Sequence, residues 1–325
     1  MRAVEVAETG GPEVLTLVDR AQPCPGSGEV LIRTEAIGVN YIDTYFRAGL
    51  YPTELPFVVG GEAAGVIAEI GSGVTDLAVG DRVASAGATG AYAQYCTAPA
   101  AVTSLIPVGI TSDVAAAALL KGLTAHYLIT SVYPVQRGDT VLLHAGAGGV
   151  GLILTQWATA LGARVITTVS TAAKAELSRQ AGAVAVLDYP GPDPNEFAAQ
   201  IKRLTDGDGV AAVYDGVGAS TFDASLASLA VRGTLALFGA ASGPVAPVEP
   251  QRLNAAGSVY LTRPTLAHFI GKPAEFTWRT TELFDAIATG AIEVTVSRRY
   301  PLHEATQAHR DLQGRQTVGS IVLNP

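Results

Sequence analysis

Thr140 to Gly162 reads TVLLHAGAGGVGLILTQWATALG. A short apolar, β-rich run passes through a glycine-rich hexapeptide into an apolar-periodic stretch of helical length. Gly146, Gly148 and Gly151 satisfy G-x-G-x-x-G in the setting that gives the pattern meaning, after a predicted strand at Val141 to His144 and before a predicted helix at Gly149 to Leu161. In the logic of the motif Gly146 permits a tight turn, Gly148 lets the backbone approach a pyrophosphate, and Gly151 lets the helix pack on the strand. The helix N-terminus offers unpaired N–H groups and a partial positive charge to phosphates. Without its strand and helix the pattern would describe only a turn in a Gly- and Ala-rich chain. With them it predicts a dinucleotide-binding fold.

Downstream the alternation continues with short connections. Strands are predicted at Arg164 to Val169, Val184 to Leu187, Val210 to Asp215 and Gly233 to Phe238. Helices are predicted between them at Thr171 to Ala181, Glu196 to Thr205 and Ser220 to Leu229. The strands are continuous apolar runs, as a parallel sheet covered on both faces requires. This is an α/β, doubly wound domain.

Upstream the pattern changes. Val30 to Ala36, Gly65 to Ile70 and Arg82 to Ala86 are short β-type runs separated by turn signals at Pro25-Gly26, Gly71-Ser72-Gly73 and Gly80-Asp81. They suggest a barrel-like β domain, closed by an Ala-rich helix at Asp113 to Leu120. From about Leu266 the alternation stops, and a helix at Glu275 to Ile287 with a strand at Gly319 to Leu323 reads as a return to the first domain. The expected division is residues 1–122 and 266–325 around a nucleotide domain at 123–265, with ligands expected in the cleft that such an insertion leaves.

Composition limits the function. A chain of 325 residues exceeds one ordinary core, and 48% apolar with 15% charged residues favours a well-buried interior. The formal charge of −8 gives the surface as a whole no attraction for polyanions, so an anionic ligand needs a local positive cluster. No basic stripe or stacking platform for nucleic acid is visible. No leader-type segment and no run of about 18 apolar residues is found, which points to a cytoplasmic protein outside the membrane. The two cysteines, Cys24 and Cys96, have no metal-type spacing and read as reduced thiols.

Several ordered motifs resemble the zinc-free quinone oxidoreductases of the medium-chain dehydrogenase/reductase superfamily, the group that includes zeta-crystallin. They are GGPEVL at Gly10 to Leu15, AIGVNYIDTYFRAGLYP at Ala36 to Pro52, GGEAAGVIAEIGSGV at Gly60 to Val74 and GDRV at Gly80 to Val83. KGLTAHYL at Lys121 to Leu128, HAGAGGVG at His144 to Gly151 and YDGVG at Tyr214 to Gly218 follow. The likeness runs over the whole chain and is strongest to the bacterial NADPH-dependent branch. It implies a GroES-like β-rich catalytic domain, a Rossmann domain, NADPH as cofactor, a quinone or related electron acceptor, and a homodimer. In the family, subunits join through the last Rossmann strand, here the apolar SVYLT run at Ser258 to Thr262, where an exposed edge would invite a second copy.

The resemblance also shows what is missing. Zinc enzymes of the superfamily carry a cysteine near Asn40 or Tyr41 and a histidine where Gly61 stands, and a four-cysteine lobe that this chain lacks. No set of three or four ligands remains to converge on a metal, and Glu62 reads as a structural hydrogen-bond acceptor. Quinones accept hydride readily, so positioning and modest hydrogen bonding suffice for their reduction. Asn40 and Tyr45 are the candidates for orienting nicotinamide or substrate, with Tyr51, and less so Tyr41, as flat apolar walls. Core packing is the competing reading for these rings. Thr124 is placed by the resemblance on the nicotinamide side. Lys121 is left open as a surface cation. His126 and His144 read as satisfied structural histidines.

The cofactor is predicted from an absence. NAD-binding domains place an acid about 20 residues beyond the glycine loop to hold the ribose 2′-OH. Here Thr167-Thr168-Val169-Ser170-Thr171 stands there, with no acid to repel a 2′-phosphate. Ser170 and Thr171 offer hydroxyls, Lys174 a positive charge, and Tyr189 a cover for the adenine end. The resemblance adds Gly149, Val150, Gly216, Phe238 and Gly239 along the cofactor and Arg315 as a basic contact on its other side. The competing functions are reduction of activated alkenes by NADPH and a nonenzymatic nucleotide-binding role.

Overall fold

The computed structural model describes all residues from Met1 to Pro325. They form two compact units, Met1–Leu123 with Ile270–Pro325, and Thr124–Phe269. The first unit opens with strands β1 (Arg2–Val6), β2 (Leu15–Asp19) and β3 (Glu29–Gly38), then a short helix α1 (Tyr41–Arg47). Strands β4 (Phe57–Val58), β5 (Ala63–Ile70), β6 (Arg82–Ser85), β7 (Tyr95–Pro99) and β8 (Thr103–Leu105) follow, and helix α2 (Ser112–Tyr127) closes the segment.

In the second unit strand and helix alternate: β9 (Thr140–His144), α3 (Gly149–Ala160), β10 (Arg164–Val169), α4 (Ala172–Gln180), β11 (Ala185–Asp188) and α5 (Pro194–Leu204). Then come β12 (Val210–Asp215), α6 (Phe222–Ala227), β13 (Leu229–Leu237), α7 (Pro250–Ala255) and β14 (Tyr260–Thr262). After α8 (Leu266–Ile270) the chain returns to the first unit with α9 (Pro273–Ala288), β15 (Val296–Pro301), α10 (Ala305–Gln313) and β16 (Ser320–Asn324).

The six strands of the second unit form one parallel sheet in the order β11-β10-β9-β12-β13-β14. Its central strands are buried almost throughout, which is why they read as unbroken apolar runs. Leu142, Ile166, Val213 and Leu235 pack from the sheet with Phe197, Ile201 and Phe222 from the helices. Strand β13 starts at Leu229, earlier than predicted, and α6 is shorter. Arg232 takes φ +61 inside β13, an irregularity that sequence periodicity does not show.

In the first unit β3 pairs antiparallel with β5, β7 and β16, and β15 extends the same sheet in parallel with β16. A smaller sheet, β2-β1-β4, contributes Val4, Val6 and Leu15 to the same core as Ile32, Ile37, Val83, Leu302 and Leu323. The core is therefore built from residues at both ends of the chain.

Helix α2 continues through a wider turn, Leu128–Val132, giving 21 residues long and apolar enough to cross a membrane by length and composition. The sequence shows no run of about 18 apolar residues, because Asp113 and Lys121 interrupt this one, yet the helix as a whole meets the criterion. Most of the helix is buried inside the protein, and Ala115 to Leu119 are wholly so. A core helix of a globular fold meets the same criterion.

Candidate functional site

The strand order of the nucleotide unit reverses at β9, with β10 on one side and β12 on the other. Ligands of such sheets bind at the carboxyl ends of the strands beside this switch point. The glycine loop lies there, between β9 and α3. Gly148 is the N-cap of α3 in extended conformation, and a Cβ placed on it would meet only the Ala145 carbonyl, at 3.2 Å. Its face is open to a ligand. Gly151 is different, because a Cβ there would overlap the Ala145 carbonyl, so glycine is needed for α3 to close on the turn.

The turn corrects one expectation. Its left-handed residue is Ala145, at φ +59, and not Gly146. Gly146 is needed for close packing, since a Cβ would run into the Thr167 side chain on β10. An alanine in that backbone region costs about 1 kcal/mol or more, which the surrounding bonds must offset. Gly146 N–H donating to the Thr168 carbonyl at 3.0 Å and Gly148 N–H to the Ala145 carbonyl at 2.9 Å fix the conformation.

Beyond β10, Ser170 and Thr171 are exposed, and Thr171 caps α4 by accepting from the Lys174 N–H at 3.2 Å. The cap sets Ser170, Thr171 and the base of the Lys174 side chain on one turn, with no acid among them. Tyr189 follows β11 with its ring 6.3 Å from that of His144, nearly parallel. The loops after β12 and β13 adjoin: the Asp215 carbonyl accepts from Phe238 N–H at 2.8 Å, and a Cβ on Gly216 would press on the Phe238 ring, 2.8 Å away. Gly239 lies against the Gly216 backbone, with no room for a Cβ.

A buried network stabilises this arrangement. The Asp215 carboxylate accepts from the Val217 and Gly218 N–H groups and from the Thr221 and Ser225 hydroxyls, at 2.7 to 2.9 Å. His144 bridges Thr168, at 2.8 Å from Nδ1, to Ser225, at 3.0 Å from Nε2. Burial holds its pKa below the usual value despite the nearby Asp215 charge. His144, Ser225 and Asp215 resemble a nucleophilic triad in composition, but all three are sealed from solvent. Their work is to hold the loops. His126, also buried, packs its ring 5.0 Å from Trp157, in a structural role too.

In the first unit the candidates gather around α1. Asn40 is its N-cap, and the Asp43 carboxylate at N3 accepts the Asn40 backbone N–H at 2.8 Å. The Asn40 side chain donates through Nδ2 to Glu62 Oε2 at 2.7 Å. Glu62 also accepts from Lys121 Nζ, at 3.2 Å on Oε2, and from the Leu120 N–H, at 2.7 Å on Oε1. Asn40, Glu62 and Lys121 are 4%, 0% and 6% exposed, so Lys121 is a buried partner rather than a surface cation.

Tyr45 is buried at the centre of an aromatic group, edge-on to Tyr41 at 5.7 Å and to Tyr51 at 5.3 Å between ring centres. Its carbonyl accepts from the N–H groups of Leu50 and Tyr51, tying the following turn to the helix. Desolvation raises the Tyr41 pKa, opposed by the Arg315 and Arg47 charges. Arg315, exposed and at φ +58, therefore belongs electrostatically to the α1 group. Thr124 is buried in α2.

Behind α1 runs a chain of buried groups that sequence reading missed. The Tyr92 hydroxyl donates to Asp43 Oδ2 at 3.0 Å and lies 2.9 Å from His309 Nε2, while His309 Nδ1 is 3.0 Å from Arg47 Nη1. Burial pushes the Asp43 carboxyl up to about 7, against the hydrogen bonds from Asn40 and Tyr92. Burial, helped by the Arg47 charge, pushes His309 down to about 3.

Comparison with known proteins agrees with this geometry. Residues 26–108 match the alcohol dehydrogenase GroES-like domain and residues 149–284 the zinc-binding dehydrogenase domain. A quinone oxidoreductase of Pseudomonas aeruginosa is 45% identical over 100% of this chain and 99% of its own. A mycobacterial protein solved with NADPH is 68% identical, with TM-score 0.99 and full coverage of both chains. The quinone oxidoreductase of Escherichia coli, also solved with NADPH, is 43% identical with TM-score 0.96 over the whole of both chains. The chain belongs to the quinone oxidoreductase family of the medium-chain dehydrogenase/reductase superfamily.

The zinc in the description of the second domain does not fit the residues present. No group of three or more His, Cys, Asp or Glu side chains converges to hold a metal ion. Asn40 turns its amide N–H toward Glu62, and the Glu62 oxygens are taken by three donors, one of them an ammonium group. Donors and a fixed cation stand where ligand lone pairs would be needed.

Proposed function

We propose that the protein is an NADPH-dependent quinone reductase that transfers reducing equivalents from NADPH to quinones without zinc. The observation that carries this reading is the Asn40–Glu62–Lys121 group: an ion pair and an amide fill a place suited to neither metal ligation nor Lewis-acid activation. Such a site serves an acceptor that takes hydride readily, and NADPH supplies that hydride when bound.

We assign Met1–Leu123 with Ile270–Pro325 as the catalytic unit and Thr124–Phe269 as the cofactor unit. In the cofactor unit Gly146, Gly148, Gly149, Val150 and Gly151 present backbone to the pyrophosphate, and Ser170, Thr171 and Lys174 bind the 2′-phosphate. Tyr189 covers the adenine, Gly216, Phe238 and Gly239 line the dinucleotide, and Thr124 contacts its nicotinamide side. In the catalytic unit Asn40 and Tyr45 orient nicotinamide or substrate, Tyr51 adds a flat wall, and Arg315 supplies a basic contact. A cytoplasmic homodimer completes the reading.

Turnover with NADPH of 1,4-benzoquinone, 9,10-phenanthrenequinone, 2-cyclohexenone and crotonaldehyde, compared as kcat/KM, tests it. Quinones should lead. Preference for the two α,β-unsaturated carbonyls would make the protein an alkene reductase, and tight NADPH binding without turnover would make it a nonenzymatic nucleotide-binding protein.

A further inference from the structure

Resting on the reading of Asn40 as a cofactor contact, we infer that Glu62 and Lys121 are positioning residues that use charge to select one of the two orientations of the Asn40 amide. An amide side chain can turn its C=O or its NH2 toward a neighbour at little steric cost, because the two groups are nearly the same size. What distinguishes them is hydrogen bonding. The Glu62 oxygens already accept from the Lys121 ammonium and the Leu120 N–H and so present lone pairs, while the ammonium has no lone pair to accept with. Facing that carboxylate, Asn40 must donate, and it does so at 2.7 Å, with the Gly38 carbonyl a second, longer acceptor at 3.4 Å. Its Oδ1 then points the other way, where it accepts from the Asp43 N–H in the capping box and keeps a second lone pair for a donor such as the amide of a carboxamide ring.

The surroundings hold the carboxylate paired and still. Lys121 and Glu62 are buried together, so each loses its water and depends on the other; removing one partner alone would leave an uncompensated charge. The Leu120 N–H holds the second oxygen from inside α2. Gly38, at the end of β3, completes the cradle, since a Cβ would overlap both Glu62 Oε2 and the Ala116 carbonyl. Three segments distant in sequence thus fix the orientation of one amide group.

The test compares NADPH with 2′-phospho-ADP-ribose, which carries the adenine half and no nicotinamide. Affinities for both are measured by fluorescence titration or calorimetry on wild type, Asn40→Ala, Lys121→Arg and the double variant Glu62→Gln/Lys121→Met. The double variant removes both charges at once, which a buried site tolerates better than losing one, and its thermal midpoint reports that it folds. NADPH should bind the double variant about tenfold more weakly and 2′-phospho-ADP-ribose unchanged, while Lys121→Arg retains NADPH binding. A loss with Asn40→Ala but none in the double variant would overturn the inference and leave the reading of Asn40 intact. Equal losses of both ligands in the folded double variant would also overturn it, by showing a general structural role. NADPH bound as in wild type by Asn40→Ala would remove the reading of Asn40 itself, and the inference with it.

Discussion

Asp43 and His309 meet at one hydroxyl, that of Tyr92, and burial drives their proton affinities in opposite directions. The folded protein keeps a proton on Asp43 that the unfolded chain releases between about pH 4 and 7. Through that window Asp43 makes stability fall as pH rises. The unfolded chain takes up a proton that folded His309 refuses between about pH 3 and 6.5, so His309 makes stability rise with pH and then level off. A full proton difference is worth about 1.4 kcal/mol per pH unit, and between about pH 4 and 6.5 the two slopes oppose. Thermal midpoints over this range should therefore rise with pH in Asp43→Asn and fall with pH in His309→Gln; parallel profiles would refute the assignment. Lys174 acts on the ligand rather than on the fold. Losing a charge-assisted hydrogen bond costs roughly 1.5 to 3 kcal/mol, so Lys174→Ala should weaken NADPH about tenfold to a hundredfold and leave NADH nearly unchanged, by titration of both. Asn40 was legible because its motif is local. Glu62, Lys121 and His309 acquire their roles from partners 59 and 262 residues away along the chain, which no spacing rule reveals.

Among the elements, the parallel strands were readable because burial on both faces leaves a continuous apolar run. Helices α1 and α10 were not. In α1 the buried residues are Asp43, Thr44, Tyr45 and Arg47, so the inward face looks polar in sequence and has no apolar stripe. In α10 the inward side includes His309 and Asp311. Polar residues satisfied inside a fold defeat hydropathy patterns. The edge strand β14 carries its own prediction. It pairs with β13 on one side only, Tyr260 is 62% exposed, and Val231 beside it is 76% exposed. An open edge flanked by apolar side chains favours strand pairing with a second copy. Light scattering at micromolar concentration should give a dimer mass, and Tyr260→Lys should shift it toward the monomer. A monomeric wild type would end the proposal of a homodimer.

At the scale of the whole molecule, the donor set around Asn40 predicts indifference to metal. Elemental analysis should find far less than one zinc per chain, and chelation should leave quinone turnover unchanged; stoichiometric zinc, with activity lost on chelation and restored by the metal, would contradict this. The return of the chain to its first unit has a consequence for synthesis. The cofactor unit is one continuous stretch and can fold as soon as it leaves the ribosome. The catalytic unit cannot. The end of its strand β3, at Ile37 and Gly38, waits for β16, and the Ser320 hydroxyl bonds the Ala117 carbonyl across 203 residues of chain. Until the last strand emerges, the Ile37–Gly38 end of β3 lacks its partner and part of the core stays uncovered, a state that aggregates or recruits chaperones. A ribosome-bound chain stalled before Ser320 should accordingly hold a protease-resistant cofactor unit beside a protease-sensitive N-terminal segment. The nascent chain would then bind the adenine half of its cofactor before its catalytic unit was complete.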